Sequence, residues 1–157
     1  MPGYRIHLGA AVVCYGAALI ALSSYLVFAP TIKAALAWFF CSVLGALFPD
    51  IDTKSKGQIL FYQVISIVLL IFLYKRMLAA FIWTALIAMV PVLVNHRGLF
   101  HKPWFVIMVP FLSSLFLSAS YPQYQKMLLF DALFFSVGAL SHIWLDRVGT
   151  RIKKLRW

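Results

Sequence analysis

Six hydrophobic runs constrain the fold of this chain more than any motif does. They cover residues 8–29, 32–48, 58–74, 77–94, 103–120 and 127–145. Runs of this length that lack the period-two alternation of barrel strands are typical of helices. Because lipid gives the backbone no hydrogen-bond partners, such runs cross a bilayer as helices. The sequence therefore predicts an all-α fold, a polytopic membrane helical bundle of about six transmembrane helices.

Composition excludes a soluble domain. Of the 157 residues, 64% are hydrophobic and only 11% are charged, and the mean hydropathy is +0.93. One soluble core of this size cannot bury so much apolar surface. The first run is also longer than the apolar region of a cleaved signal peptide. We therefore expect one integral-membrane domain over residues 1–157, with the first run kept as a span.

The basic residues predict which side of the membrane the ends of the chain face. Six spans place both termini and every second loop on one side. Ten of the fourteen Lys and Arg residues then fall on the terminal side and four on the other. The positive-inside rule places the richer side in the cytoplasm, so both termini are predicted to be cytoplasmic.

Scarce ionisable residues collect on that same side. The chain has four His and four acidic residues, all Asp. Seven of these eight residues adjoin the predicted cytoplasmic ends of spans; only Asp131 does not. The seven are His7, Asp50, Asp52, His96, His101, His142 and Asp146. A single site requires such convergence on one face.

The spacing of these seven residues suits a metal site. Asp50 and Asp52 share a turn after Pro49, and Gly98 permits a tight turn between His96 and His101. His142 and Asp146 are four residues apart and lie on one helix face. Imidazole and carboxylate without thiolate favour Zn²⁺, as one or two ions, with Mn²⁺, Fe²⁺ or Mg²⁺ as alternatives. For each motif taken alone, the non-functional interpretation is a solvated loop or an ion pair that caps a helix.

Four short segments resemble the signatures of one family. They are Ile6-His7, Phe48-Pro49-Asp50-Ile51-Asp52, His96-Arg97-Gly98-Leu99-Phe100-His101 and Ser141-His142-Ile143-Trp144-Leu145-Asp146. In order and spacing they are similar to the YdjM-like bacterial inner-membrane proteins. The resemblance implies a multi-pass protein of the bacterial inner membrane and a metal-dependent hydrolase, distantly similar to zinc-dependent phospholipase C.

The sequence also departs from the family pattern. Phe100 and Lys102 stand where the family usually has Ser or Thr beside the second histidine, and Thr53 stands where it often has His. Lost hydroxyls remove candidate hydrogen bonds around the metal or to the substrate. These departures predict a shifted substrate or a weaker enzyme.

The function expected from these residues is hydrolysis of a phosphoester, with a lipid headgroup as substrate, at the cytoplasmic membrane face. Asp50 and Arg97 are the predicted catalytic residues, since a carboxylate can act as general base and a guanidinium fork can stabilise phosphoryl charge. Arg97 and Lys102 are the predicted substrate-binding residues. The alternatives are a non-catalytic protein with a structural metal site and a metal or ion transporter, although transport requires more polar groups at mid-membrane.

The tail from Arg147 to Trp157 carries five basic residues and no acid. A basic cluster directly after a span typically lies on anionic lipid, at about 1 kcal/mol for each residue near the surface. We therefore expect membrane lipids with anionic headgroups as partners, and neither nucleic acid nor an obligate protein partner.

Overall fold

The computed structural model describes residues 4–25, 29–51, 56–93 and 98–154, and these residues form an all-helical bundle. Two short 3-10 turns, Phe48–Asp50 and Pro122–Tyr124, follow the second and fifth helices. The six helices are α1 (Tyr4–Tyr25), α2 (Ile32–Leu47), α3 (Lys56–Tyr74), α4 (Leu78–Leu93), α5 (Pro103–Ser120) and α6 (Gln125–Lys154).

The helices confirm the six predicted hydrophobic runs but differ from them at several ends. α5 has the predicted bounds and begins at Pro103, whose fixed φ suits the first turn of a helix. α1 begins four residues earlier than its apolar run, and α6 continues nine residues beyond its own. Both extensions consist largely of polar and basic residues, so hydrophobicity alone does not mark them.

Most of the helices are long enough to cross a membrane. Five helical segments within the described residues are long and apolar enough to do so, namely Arg5–Tyr25, Ile32–Asp50, Gly57–Tyr74, Pro103–Ser120 and Pro122–Gly149. The apolar segment of α4 is shorter and covers Leu78–Val90. Many large hydrophobic side chains are exposed on the bundle surface. In lipid this surface is solvated by hydrocarbon.

Two glycines allow α2 and α6 to pack with their backbones in contact. A Cβ atom at Gly138 would lie 1.9 Å from the Ser42 carbonyl oxygen, and one at Gly45 would lie 2.0 Å from that of Phe135. No other residue type fits at these positions without separating the helices. The two glycines therefore set the position of α6 against α2.

α1 completes this tight half of the bundle through side-chain hydrogen bonds with α2, one donated from each helix. The Tyr15 hydroxyl donates to the Ala35 carbonyl at 2.8 Å, and the Ser42 hydroxyl donates to the Ala11 carbonyl at 3.4 Å. Hydrogen bonds of this kind join helices in lipid, where water does not compete. As a result α1, α2 and α6 form a continuous three-helix unit.

An aromatic cluster joins this unit to α3 and α5. Phe48 is buried and lies against the rings of Phe61, Phe100, Phe105 and Phe135, with centroid distances of 5.2–6.4 Å. Phe48 opens the 3-10 turn after α2, and Phe100 lies in the turn before α5. The cluster thus fixes two turns at the same end of the bundle.

Candidate metal centre

Five of the predicted ligands meet at one end of the bundle. His7 comes from the first turns of α1, Asp50 from the 3-10 turn after α2, and His101 from the turn before α5. His142 and Asp146 come from α6. Residues separated by up to 139 positions in the sequence therefore share one site, as the predicted topology requires.

The ligand atoms are close together. The Nε2 atom of His142 lies 3.6 Å from Asp50 Oδ1 and 3.4 Å from Asp146 Oδ2. His101 Nε2 lies 3.6 Å from each of the same two oxygens, and His7 Nε2 lies 3.6 Å from Asp146 Oδ1. Asp50 therefore lies beside two imidazole rings and Asp146 beside three.

These separations suit ligands around an ion better than they suit direct hydrogen bonds. Hydrogen bonds between such groups normally measure about 2.7–3.2 Å. An ion with four ligand atoms at about 2.1 Å holds neighbouring ligand atoms roughly 3.4 Å apart. The Nε2 atoms of His101 and His142 are buried and, within the described part of the chain, have no hydrogen-bond partner.

A backbone contact orients His142 as a ligand. Its Nδ1 atom lies 2.7 Å from the carbonyl oxygen of Ala46 in α2. A carbonyl only accepts, so Nδ1 carries the proton and donates it, and Nε2 of the neutral ring keeps its lone pair. This is the usual way in which a protein fixes the tautomer of a metal-binding histidine.

The cluster contains two overlapping ligand groups. One consists of His7, His142 and Asp146, and the other of Asp50, His101 and His142. The rings of His7 and His142 are stacked with centroids 3.7 Å apart. His142 has only one free lone pair, so it can bind only one ion directly. The residues present therefore fit one divalent ion, or two ions if the carboxylates serve the second.

The site is buried at its base and open on one side. The side chains of His142 and His7 are 1% and 2% exposed, and that of Asp146 is 13% exposed. His101 and Asp50 are 30% and 32% exposed. A ligand from the aqueous side therefore reaches Asp50 and His101 first.

Comparison with known proteins identifies a family whose model matches this chain. The family model for the YdjM inner membrane protein matches residues 1–152. The chain belongs to the YdjM inner membrane protein family. It is accordingly a multi-pass protein of the inner membrane. Comparison with curated proteins gives no match, and neither does comparison with solved structures.

The remaining predicted site residues of this YdjM family member divide into two groups. Asp52, His96 and Arg97, together with Thr53, lie outside the described residues. Lys102 is described and exposed, at the N-terminal end of α5 beside His101. This position is accessible from the aqueous side. The substrate-binding role of Lys102 stays a prediction.

Phe100, which the family resemblance predicted to weaken the site, has a packing role. Its side chain is fully buried in the core and lies edge-on to Phe48 and Phe105. Gly98 precedes it with φ +107°, a backbone conformation that favours glycine. The glycine turn and the buried ring together place His101 at the site.

Two contributors to the site were missed by the sequence analysis. The Ala46 carbonyl orients His142, and no side-chain pattern marks a backbone acceptor. The Gln58 amide donates to the Ile51 carbonyl at 2.7 Å and ties α3 to the turn that carries Asp50. An uncharged polar residue in the first turn of an otherwise apolar helix was the available signal for Gln58.

Proposed function

We propose that this YdjM family member is a membrane-embedded, metal-dependent hydrolase that cleaves a phosphoester at the cytoplasmic membrane face. The observation that carries the proposal is the convergence of three imidazoles and two carboxylates from four chain segments at 3.4–3.6 Å. Groups of this kind near membrane depth are costly and typically functional.

The residues at the base of the site would hold the ion. His7, His142 and Asp146 are the least exposed, and His142 is oriented by Ala46. A bound divalent ion would supply Lewis acidity to a phosphoryl oxygen. Zn²⁺ suits this donor set, with Mn²⁺, Fe²⁺ or Mg²⁺ as alternatives.

The exposed side of the site would carry the proton transfer. Asp50 is the more exposed of the two carboxylates. The attacking water molecule would therefore reach Asp50 rather than Asp146. In the proposed reaction the water oxygen bonds to phosphorus, Asp50 accepts a water proton, and the ester P–O bond breaks. The leaving alkoxide takes up a proton and departs as the alcohol.

Two basic residues close to His101 in the sequence suit an anionic substrate. Lys102 is exposed beside His101, and Arg97 directly precedes Gly98 in the chain. A guanidinium fork would stabilise the phosphoryl oxygens, and Lys102 would add positive charge. Since the positive-inside rule places this end in the cytoplasm, a lipid headgroup of that leaflet is the proposed substrate. The basic end of α6 would lie on anionic headgroups of the same leaflet.

Hydrolysis by the purified, metal-loaded protein tests this proposal. With bis(p-nitrophenyl) phosphate and p-nitrophenyl phosphorylcholine as probes, we expect release of p-nitrophenolate that a chelator abolishes. Asp50→Asn should lower the rate by about 100-fold or more, because removal of a general base typically costs that much. The matched control is Gln63→Ala, on the exposed face of α3, which should keep the rate.

The outcomes separate an enzyme from a structural site. Loss of activity in folded Asp50→Asn supports hydrolysis. Absence of turnover of phosphoesters, by folded protein with stoichiometric bound metal, contradicts it and supports a structural metal that joins helix ends.

A further inference from the structure

Two adjoining apolar cavities lie beneath the candidate metal centre. One, of about 230 Å³, lies among α2 to α6 and has Ile65, Val109 and Phe135 in its wall. The other, of about 260 Å³, lies between α4 and α5 beside Trp83 and Phe116. Both are partly open, and they share four lining residues, Phe48, Ile87, Val109 and Ser113.

The residues that wall these cavities adjoin the metal ligands in the chain. Phe48 lines both cavities and precedes Asp50 by two residues. Phe100 lines the second cavity and directly precedes His101. The same two turns therefore present a carboxylate and an imidazole on one side and aromatic rings on the other. A polar site and an apolar cavity that share two turns in this way match an amphiphilic ligand.

Asp131 marks the opposite end of the first cavity, the one that lies among α2 to α6. It lines the cavity beside Cys41, and its Oδ1 atom is buried without a hydrogen-bond partner in the part of the chain that is described. Asp131 precedes His142 by 11 residues, about 16 Å along α6 at 1.5 Å per residue. This length is close to half of the roughly 30 Å hydrocarbon core of a bilayer.

We propose that the two cavities bind one hydrocarbon chain of a lipid ester whose phosphoryl group lies at the metal centre, and that Asp131 limits the length of that chain. This inference rests on the proposed function for the headgroup. Cavity walls within membrane-spanning segments are surrounded by acyl chains, which makes a hydrocarbon chain the natural occupant. A chain that extends past Asp131 would bury an ionisable group in hydrocarbon, which is unfavourable.

Photolabelling tests the cavity without any need for activity. The probe is phosphatidylglycerol with a diazirine near the end of one acyl chain, mixed into vesicles that hold the full-length protein. We expect labelled peptides from the cavity walls of α4 and α5 and from the part of α6 that contains Asp131.

A matched pair of variants separates the cavity from the outer surface. Ser113 and Ser66 each donate a hydrogen bond to the carbonyl four residues earlier in their own helix, Val109 and Tyr62. Ser113 lines both cavities, whereas Ser66 is exposed on α3. Ser113→Leu should reduce labelling of the cavity peptides by about fivefold or more, since leucine overfills the space. Ser66→Leu should leave labelling unchanged.

Chain selectivity gives the second readout. Against lipid esters of increasing chain length, the wild type should reach its highest kcat/KM at a chain that ends before Asp131. Asp131→Leu should move that optimum to longer chains. Cavity labelling without hydrolysis refutes the proposed function alone. Hydrolysis with label confined to exposed residues, or with equal labelling of Ser113→Leu and wild type, refutes the chain-binding inference alone.

Discussion

The two halves of this bundle are built for different purposes. α1, α2 and α6 pack with glycine and small residues in contact, and these helices together with the 3-10 turn after α2 carry four of the five clustered ligands. α3, α4 and α5 line both apolar cavities, one of which α2 and α6 also line, and the turn before α5 contributes His101. The difference indicates that close backbone contact holds the metal ligands of α1, α2 and α6 in position. The looser packing of α3, α4 and α5 leaves space for an apolar ligand.

The largest effect should come from separating α2 and α6. Gly138→Ala would place a Cβ atom 1.9 Å from the Ser42 carbonyl oxygen, so the helices must move apart. We expect destabilisation of about 3 kcal/mol or more, at the upper end of overpacking costs, with loss of bound metal. Thermal unfolding in detergent and elemental analysis measure the two effects.

Gly16→Ala is the control for that experiment, because a Cβ atom there meets nothing within 4 Å. It should be neutral or stabilising by about 0.5–1 kcal/mol, the usual gain in a helix interior. Equal stability of the two alanine variants would show that the close contact of α2 and α6 is not a constraint.

The next effect ranks the three histidine ligands, two from the tight half and one from the looser half. His142 belongs to both ligand groups, whereas His7 and His101 belong to one each. His142→Ala should therefore weaken metal binding the most, and His7→Ala or His101→Ala should weaken it by less. Isothermal titration with Zn²⁺ measures the affinities, and Asp131→Asn, a change outside the cluster, should retain wild-type affinity. A His142→Ala protein that binds Zn²⁺ as tightly as wild type would remove His142 from the site.

The smallest effect concerns the connection between the halves. Gln58→Leu removes the hydrogen bond from α3 to the Ile51 carbonyl, worth about 1 kcal/mol. If this bond positions Asp50, Zn²⁺ affinity should fall by about fivefold. Gln63→Leu changes an exposed glutamine on the same helix and should leave affinity unchanged. An equal, small effect of both variants would show that α3 does not support the site.

The sequence predicted the parts of this molecule that depend on local pattern. Apolar runs predicted the helices, Pro103 marked the first residue of α5, and four-residue spacing placed His142 beside Asp146. The count of spans predicted that His7, Asp50 and His101 would meet these two residues at one end. Each of these predictions needs only periodicity or topology, both of which can be read from one chain.

The rest depends on how the helices are positioned against each other. The Ala46 carbonyl reaches His142 because Gly45 and Gly138 set the position of α6 along α2. α2 contains several small residues whose carbonyl groups the sequence does not distinguish. The hydrogen-bond acceptor of His142 therefore could not be identified from the sequence. The sequence analysis also did not predict where α6 ends. Its last turns are polar and lack the regularly spaced apolar residues that indicate a helix.

X-ray absorption at the zinc edge tests the central claim most directly. For the Zn²⁺-loaded wild type we predict a shell of nitrogen and oxygen atoms alone at about 2.0–2.1 Å, with imidazole scattering that decreases in His142→Ala. Sulfur at about 2.3 Å would assign the ion to Cys14 or Cys41. Such a shell, or a spectrum unchanged by His142→Ala, would contradict a His and Asp metal centre at this end of the bundle.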